Sequence, residues 1–180
     1  GNLTESTDDP CLPCDFIYFT STQQGFYYFN QVNLGDCQID SEDWVGAFNG
    51  DICVGAREWG DCGGDLGCDV PTLGYHPDDN NTTGYMEGSN SGLDGIWETE
   101  DDYCGDIPVF KIYDASENIY IDAIPSGEIK EAGPNGESVD NLCWDVNISL
   151  VIDLLSGDSY SDGFDEVSLD ETGVSTLFIF

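Results

Sequence analysis

Apolar and polar residues alternate in short stretches along this chain, a pattern that favours β-strands over helices. The clearest element is a hairpin, in which apolar runs at 44–48 and 52–57 flank Asn49-Gly50-Asp51. Asn-Gly tolerates the positive φ angles of a tight turn, so this stretch predicts two paired strands. A hairpin has to bury one face, and the rest of the chain is therefore expected to supply a second β layer.

Further strands are predicted wherever aromatic and β-branched residues concentrate. They are expected at 16–20, 26–32, 107–114 and 118–124. Residues 60–107 and 125–141 are instead rich in Gly, Asp, Asn and Ser, and they predict long loops.

The most regular alternation runs from Trp144 to Leu155. A strand has a period of two residues, so one face is predicted to carry Trp144, Val146, Ile148, Leu150, Ile152 and Leu154. The same period places Asn147 on the solvent side.

The last seven residues, 174–180, carry no charged side chain and follow an acidic stretch at 156–173. Large apolar residues occur at alternate positions on both faces of such a strand: Val174, Phe178 and Phe180 on one, Leu177 and Ile179 on the other. A strand that is apolar on both faces favours a central position in a sheet.

The patterning together predicts an all-β fold, a disulfide-stapled antiparallel β-sandwich with a long irregular loop region and a C-terminal strand. Its predicted parts are a polar leader at 1–14, the sandwich at 15–155, an acidic linker at 156–173 and the strand at 174–180.

The charge excludes several partners. Acidic side chains number 37 against three basic ones, which gives a net charge of −34. Nucleic acid and anionic lipid are bound through Lys and Arg, so we expect neither as a partner. No apolar run reaches the length of a membrane span. Self-repulsion at this charge weakens the compact state unless cations or covalent links offset it.

Eight cysteines are the candidate covalent links, and an even number in a turn-rich β pattern predicts disulfides in an oxidising compartment. Only the close pair Cys62 and Cys68 suggests a particular bond. The others stay unassigned, and Cys11 and Cys14 also have the spacing of zinc ligands. The full predicted set is Cys11, Cys14, Cys37, Cys53, Cys62, Cys68, Cys104 and Cys143.

Glycosylation sequons support an extracellular location, because N-linked glycans are added to secreted chains. They predict glycans at Asn2, Asn80, Asn81 and Asn147. The chain opens on a polar stretch, and we interpret it as a mature, secreted polypeptide of the cell surface.

Two motifs carry a resemblance to a known family. The first is V-G-x-F-x-G-x-x-C-x-G, matched by Val45, Gly46, Phe48, Gly50, Cys53 and Gly55; the second is F-K-I-Y-D at 110–114. They resemble a module of large secreted microbial surface proteins that is similar to immunoglobulin-like β-sandwiches. The resemblance implies a structural, adhesive or cell-surface role and carries over no catalytic site. Residues 60–107 and 156–180 lie outside it.

Catalysis is not predicted. His76 is the only histidine and no motif supports it as a base, while oxidised cysteines would not act as nucleophiles. We therefore assign no catalytic, cofactor-binding or metal-ligating residues. Calcium remains an alternative at the acidic clusters 98–102 and 158–166.

Self-assembly is the predicted function. The strand 174–180 can complete its own sandwich or add to the sheet of another copy, and repeated addition would build a filament or surface layer. The alternative is a monomeric, calcium-stabilised carbohydrate-binding or adhesion module, for which Trp97 is the candidate sugar-stacking residue.

Overall fold

The structure is a computed structural model that describes residues 13–62, 68–89 and 104–158. Across these ranges the fold is all-β, as predicted, with three short 3-10 helices at Cys14–Phe16, Trp59–Asp61 and Asn80–Thr82. No helix in them is long and apolar enough to cross a membrane. The strands are β1 (Gln24–Leu34), β2 (Cys37–Gln38), β3 (Trp44–Asn49), β4 (Ile52–Glu58), β5 (Cys68–Leu73), β6 (Val109–Asp114), β7 (Ile119–Glu131), β8 (Ser138–Val139) and β9 (Ser149–Gly157).

All nine strands belong to one sheet with the order β2-β1-β9-β7-β6-β3-β4, in which β5 also pairs with β1 and β8 with β7. β1 and β9 are parallel, and the other paired strands are antiparallel. The prediction of a purely antiparallel sheet is therefore wrong at β1 and β9. A parallel pair needs a long connection, and here all the intervening strands supply it.

The sheet curls until β5 lies on β4. Gly55 permits this contact, because a Cβ at that position would collide with the carbonyl oxygen of Pro71. Arg57 adds a hydrogen bond from its Nε to the carbonyl oxygen of Asp69, at 3.1 Å. The predicted sandwich is confirmed to this extent: one curled sheet encloses a core between its two ends.

The core is aromatic at its centre. Phe110 makes edge-to-face contacts with Tyr27 and Phe29, with ring centroids 5.6 and 5.1 Å apart. Trp144 is also buried, and its Nε1 donates a hydrogen bond of 2.9 Å to the carbonyl oxygen of Thr72. Gly25 leaves space for this indole, since a Cβ there would lie 2.8 Å from Nε1.

Two predicted loops contain strands. β5 lies inside 60–107 although it includes Pro71, because it pairs through one edge only and an edge strand tolerates proline. β7 lies partly and β8 wholly inside 125–141. Gly127, with a φ of +83°, belongs to an irregularity between Ser126 and Ile129 within β7. The predicted strand at 16–20 is wrong, and so is the strand character of 144–148.

Partway along β9 the buried positions shift from even-numbered to odd-numbered residues. Leu150 and Ile152 are buried as predicted, but Leu155 replaces Leu154 as the next buried residue. The alternation of buried and exposed residues in β1 shifts at the same level, because Val32 is the next buried residue after Phe29. β9 also continues to Gly157, beyond the predicted boundary at 155.

Asp153 connects the three strands at this level. Its Oδ1 accepts a hydrogen bond from Asn30 Nδ2 at 3.2 Å, and its Oδ2 accepts one from the backbone N–H of Glu128 at 3.0 Å. These residues lie on β1, β9 and β7. The carboxylate therefore supports the irregularity that shifts the phase of the sheet.

We expect Asp153→Ala to lower the free energy of unfolding by about 1–2 kcal/mol, because both donors lose a charged acceptor at a partly solvated site. Asp158→Ala is the matched control, since Asp158 is exposed just after β9; its effect should stay within about 0.5 kcal/mol. Urea unfolding measures both variants. Equal effects would show that Asp153 does not stabilise the irregularity.

The predicted disulfide between Cys62 and Cys68 is confirmed, and a second bond joins Cys104 and Cys143. The prediction that all eight cysteines form disulfides is wrong, because Cys37 and Cys53 carry free thiols. They lie on different strands, Cys37 exposed on β2 and Cys53 buried on β4. Burial raises the pKa of the Cys53 thiol to about 11. Cys11 and the side chain of Cys14 lie outside the described residues, so their predicted zinc or disulfide role stays a prediction.

Candidate assembly surface

A second apolar cluster lies on the face of β3 that points away from the main core. Val45 and Ala47 point into the main core, so the alternate residues Gly46 and Phe48 lie on the opposite face. We call this second cluster the outer cluster; its buried members are Phe16, Phe48, Cys53 and Ala56.

Phe16 covers the centre of the outer cluster. Its ring lies above Gly46, where a Cβ would come within 2.8 Å of Phe16 Cε1. The ring also makes edge contacts with Phe48 and Tyr120, at centroid distances of 5.7 and 5.4 Å. Residues 16–20, predicted as a strand, instead form part of a cover over the sheet.

Hydrogen bonds that this segment donates to side chains of the sheet and of the adjacent loop hold it in place. The backbone N–H of Asp15 donates to Tyr120 Oη at 3.1 Å, and that of Phe19 donates to Tyr85 Oη at 2.6 Å. Both acceptors are side chains, so the cover adds no ladder to the sheet.

The same face continues into exposed apolar surface. Phe48 pairs in register with Val109, and the pairing of Phe110 with Ala123 places Ile124 beside Val109 on the next strand. Phe48 is buried, whereas Val109 is 51% and Ile124 71% exposed. We call Val109 and Ile124 the apolar row.

An ion pair borders the apolar row. Lys111 Nζ lies 3.1 Å from Asp122 Oδ1, directly across the ladder. The same ammonium group lies 5.6 Å from the centroid of the Phe48 ring. A segment that approaches the row therefore meets a neutralised pair rather than an isolated charge.

Among the described residues, β9 accompanies β7 only as far as its own last residue. Gly157 is the last residue of β9 that pairs with β7, opposite Ala123. Ahead of that point Ile121 and Asp122 pair with β6 on one side, and no strand among the described residues pairs with them on the other. We call this place the β7 half-edge.

The core reaches the surface at the β7 half-edge. A Cβ on Gly157 would lie 2.8 Å from Ile121 Cγ2 and 3.1 Å from Leu34 Cδ2, so both side chains flank this glycine. Both are only partly buried. On the core side the half-edge is therefore flanked by apolar side chains, whereas on the outer side it carries Asp122, because Ile124 lies farther along β7, opposite Ser156 of β9.

All three basic residues of the chain are paired: Arg57 with Asp69 at 2.8 Å, Lys111 with Asp122 at 3.1 Å and Lys130 with Glu128 at 2.7 Å. Hydrogen bonds from Lys130 and then Ser138 lower the pKa of the Glu128 carboxyl. These pairs engage three of 37 acidic residues, so 37 − 3 = 34 negative charges have no basic side chain left to neutralise them.

We expect the unfolding temperature to rise with NaCl between 0.01 M and 1 M, because the Debye length falls from about 30 to about 3 Å and screens the repulsion among these carboxylates. Differential scanning calorimetry measures the effect. A MgCl2 series at the same ionic strengths separates screening from divalent binding, and coincident curves indicate screening. An unfolding temperature that falls with NaCl would contradict this view of the surface.

The structure exposes three of the four predicted glycosylation sites. Asn80 and Asn81 are exposed in the 3-10 helix Asn80–Thr82, and Asn147 is exposed in a turn with φ of +65° rather than on a strand. Asn2 lies outside the described residues. Whether any of the four carries a glycan stays a prediction.

The predicted assembly residues Val174, Leu177, Phe178, Ile179 and Phe180 all lie outside the described residues, as does Trp97. Trp44 and Trp59 are partly buried against the outer and main clusters, and Trp144 is buried. His76 Nδ1 accepts a local hydrogen bond from the backbone of Asp78 at 3.3 Å. Within 13–62, 68–89 and 104–158 no group of three or more His, Cys, Asp or Glu side chains could hold a metal ion.

Sequence reasoning missed the outer cluster and the apolar row. The only signal in the sequence was Val109 at the start of an alternating strand, where Lys111 on the same face suggested solvent. No protein-family model, curated protein or solved structure matches the chain. The resemblance to an immunoglobulin-like surface module stays a prediction.

Proposed function

We propose that this protein is a non-catalytic structural subunit of an extracellular, glycosylated filament or surface layer, in which copies join by donation of the strand 174–180. The observation that carries the proposal is the apolar row, in which Val109 and Ile124 are 51% and 71% exposed on the outer face of the sheet. Exposed apolar side chains on a sheet favour docking of another chain, and an uncharged extended segment of a second copy fits such a surface.

The energetics of docking favour a folded acceptor. Five large apolar side chains in 174–180 contribute on the order of 10 kcal/mol when buried, at roughly 1.5–3 kcal/mol each. Ordering seven residues costs about as much. Hydrogen bonds to a preformed strand edge therefore decide the balance. Docking of one end of a copy into the body of the next is a head-to-tail contact, which builds a filament unless its rotation closes a ring.

The extracellular location is supported by two disulfides and by exposed sequon residues. The net charge of −34 keeps the sides of such a subunit soluble, so that association concentrates at its uncharged segment.

Negative-stain electron microscopy and light scattering test the proposal on the full chain and on a chain that ends at Gly173. The full chain should form linear assemblies, and the shortened chain should be a monomer with the same unfolding temperature. A triple variant, Leu177→Ser, Phe178→Ser and Ile179→Ser, keeps the length and should also be monomeric. Assemblies unchanged by either alteration, or a full chain that stays monomeric, would reject strand donation.

A further inference from the structure

We propose that Asn135, which precedes Gly136, is a site of spontaneous deamidation, whereas the fold protects Asn49, which precedes Gly50. Asparagine is among the thermolabile residues of proteins, because the backbone nitrogen of the next residue can attack its side-chain amide. Glycine hinders that attack least. The Asn-Gly dipeptide occurs in the chain at these two places only, so the two compare the same chemistry in two environments.

The reaction needs no reagent except water. The backbone nitrogen of Gly136 forms a bond to Cγ of Asn135 and loses its proton, and the side-chain nitrogen takes up that proton and leaves as ammonia. The product is a cyclic succinimide. Water then opens the ring at one of its two carbonyl carbons and gives aspartate or isoaspartate, in which the backbone runs through the former side chain. Either product replaces a neutral amide with a carboxylate.

The turn at 133–136 presents the reacting groups at the surface. Pro134 and Asn135 are its central residues. The backbone N–H of Gly136 closes it with a hydrogen bond of 3.2 Å to the carbonyl oxygen of Gly133. Asn135 is exposed, and its side chain bonds to no described residue. The bond of the turn has to open before the nitrogen attacks, while the amide itself is free to rotate.

The fold itself requires glycine after Asn135. A Cβ at position 136 would collide with the carbonyl oxygen of Glu131, so a larger residue that would slow the attack does not fit there. Just beyond the turn, the backbone N–H of Glu131 donates a hydrogen bond of 3.0 Å to the carbonyl oxygen of Glu137. The reactive dipeptide therefore lies at the closed end of the hairpin formed by β7 and β8.

Asn49 is held in a different way. Its Nδ2 donates hydrogen bonds to the carbonyl oxygens of Gly84 and Tyr85, at 3.2 and 3.3 Å. It also donates one of 3.0 Å to Asp106 Oδ2. The side chain is half-buried, and these bonds have to break before Cγ can turn towards the nitrogen of Gly50. They lower the population that can react by at least about tenfold.

Deamidation at Asn135 changes the hairpin. Isoaspartate lengthens the backbone of the turn that joins Glu131 to Glu137, and the added carboxylate lies close to both glutamates in the chain. The pairing of Lys130 with Ser138 follows directly along the ladder. The end of the β7 and β8 hairpin is therefore expected to loosen as the molecule ages.

Peptide mapping by mass spectrometry tests the assignment on the full chain, kept folded in mildly alkaline buffer. We expect deamidation at Asn135 to be at least about tenfold faster than at Asn49. The same incubation in urea is the control, and there both dipeptides should react at similar rates because the fold no longer holds Asn49. Equal rates in the folded chain would overturn the proposal. So would an equally large difference in urea, since the cause would then lie in the local sequence.

Asp106→Ala tests the protection of Asn49 separately. It removes one of the acceptors of Nδ2, so deamidation at Asn49 should accelerate severalfold while the rate at Asn135 stays the same, with circular dichroism as the check on folding. An unchanged rate at Asn49 would overturn the protective role of this bond.

Amide hydrogen exchange tests the effect on the hairpin. Asn135→Asp is the matched control, because it supplies the carboxylate without the longer backbone. The N–H of Glu131 should exchange faster in chains that carry isoaspartate at position 135 than in this variant. Equal exchange would overturn the predicted loosening.

Discussion

Replacing Phe16 by Ala is expected to lower the free energy of unfolding by about 3–4 kcal/mol, within the range for truncation of a buried phenylalanine. Such a loss is unusual for a residue in a three-residue 3-10 helix near the start of the described chain. It is expected because the ring is fully buried and fills the space above Gly46.

Ile17→Ala is the control for Phe16→Ala, because the neighbouring side chain is 62% exposed and its truncation should cost less than about 0.5 kcal/mol. Urea unfolding followed by tryptophan fluorescence measures both variants. Phe16→Ala should also bind more of the dye ANS, since it uncovers the outer cluster. A loss no larger than that of the control would show that residues 16–20 do not cover the sheet.

Removing the disulfide between Cys104 and Cys143 with two serines is expected to lower the free energy of unfolding by about 4 kcal/mol. Removing the bond between Cys62 and Cys68 should cost about 2 kcal/mol. The difference follows from the sequence separations of 39 and 6 residues, since the longer closed loop restricts the unfolded chain more.

The larger loss also has a native-state reason. Cys143 directly precedes Trp144, and Cys104 lies close to Asp106 in sequence. The backbone N–H of Trp144 donates a hydrogen bond of 2.8 Å to the carbonyl oxygen of Asp106, so the disulfide fixes the residues on both sides of this contact. Urea unfolding of the two serine pairs under non-reducing conditions measures the difference. A greater loss from the Cys62 and Cys68 pair would contradict the dependence on loop length.

Local signals predicted the hairpin of β3 and β4 well. Asn49-Gly50 specifies its turn whatever else the chain does, and Gly50 has the expected positive φ of +59°. β1 and β6 were predicted for a similar reason, since their aromatic and β-branched content is contained in the strands themselves.

Elements that depend on distant partners were missed. β5 contains Pro71 and is a strand because β1 pairs with one of its edges. The phase of β9 depends on Asp153, which bonds to Asn30 and to the backbone of Glu128. Contacts between residues so far apart in the chain do not appear in the local hydrophobic periodicity.

The candidate surface was hidden for the same reason. Phe16 and Gly46 are far apart in sequence, and nothing in either stretch indicates that the ring fills the place of a side chain. Cys53 matched the predicted motif, but that motif could not show that its thiol would be buried and free. The uncharged segment 174–180 was visible in the sequence, whereas its proposed acceptor required the sheet.

Disulfide trapping between two chains of different mass tests the central claim most directly. One chain carries Ile124→Cys and the other Phe178→Cys, both with the exposed Cys37 changed to Ser. After mild oxidation, strand donation predicts a linked pair that contains one heavy and one light chain, and Ile17→Cys in place of Ile124→Cys should give little of it. No mixed pair, together with an internal bond in a single chain that carries both cysteines, would show that each copy keeps its own strand.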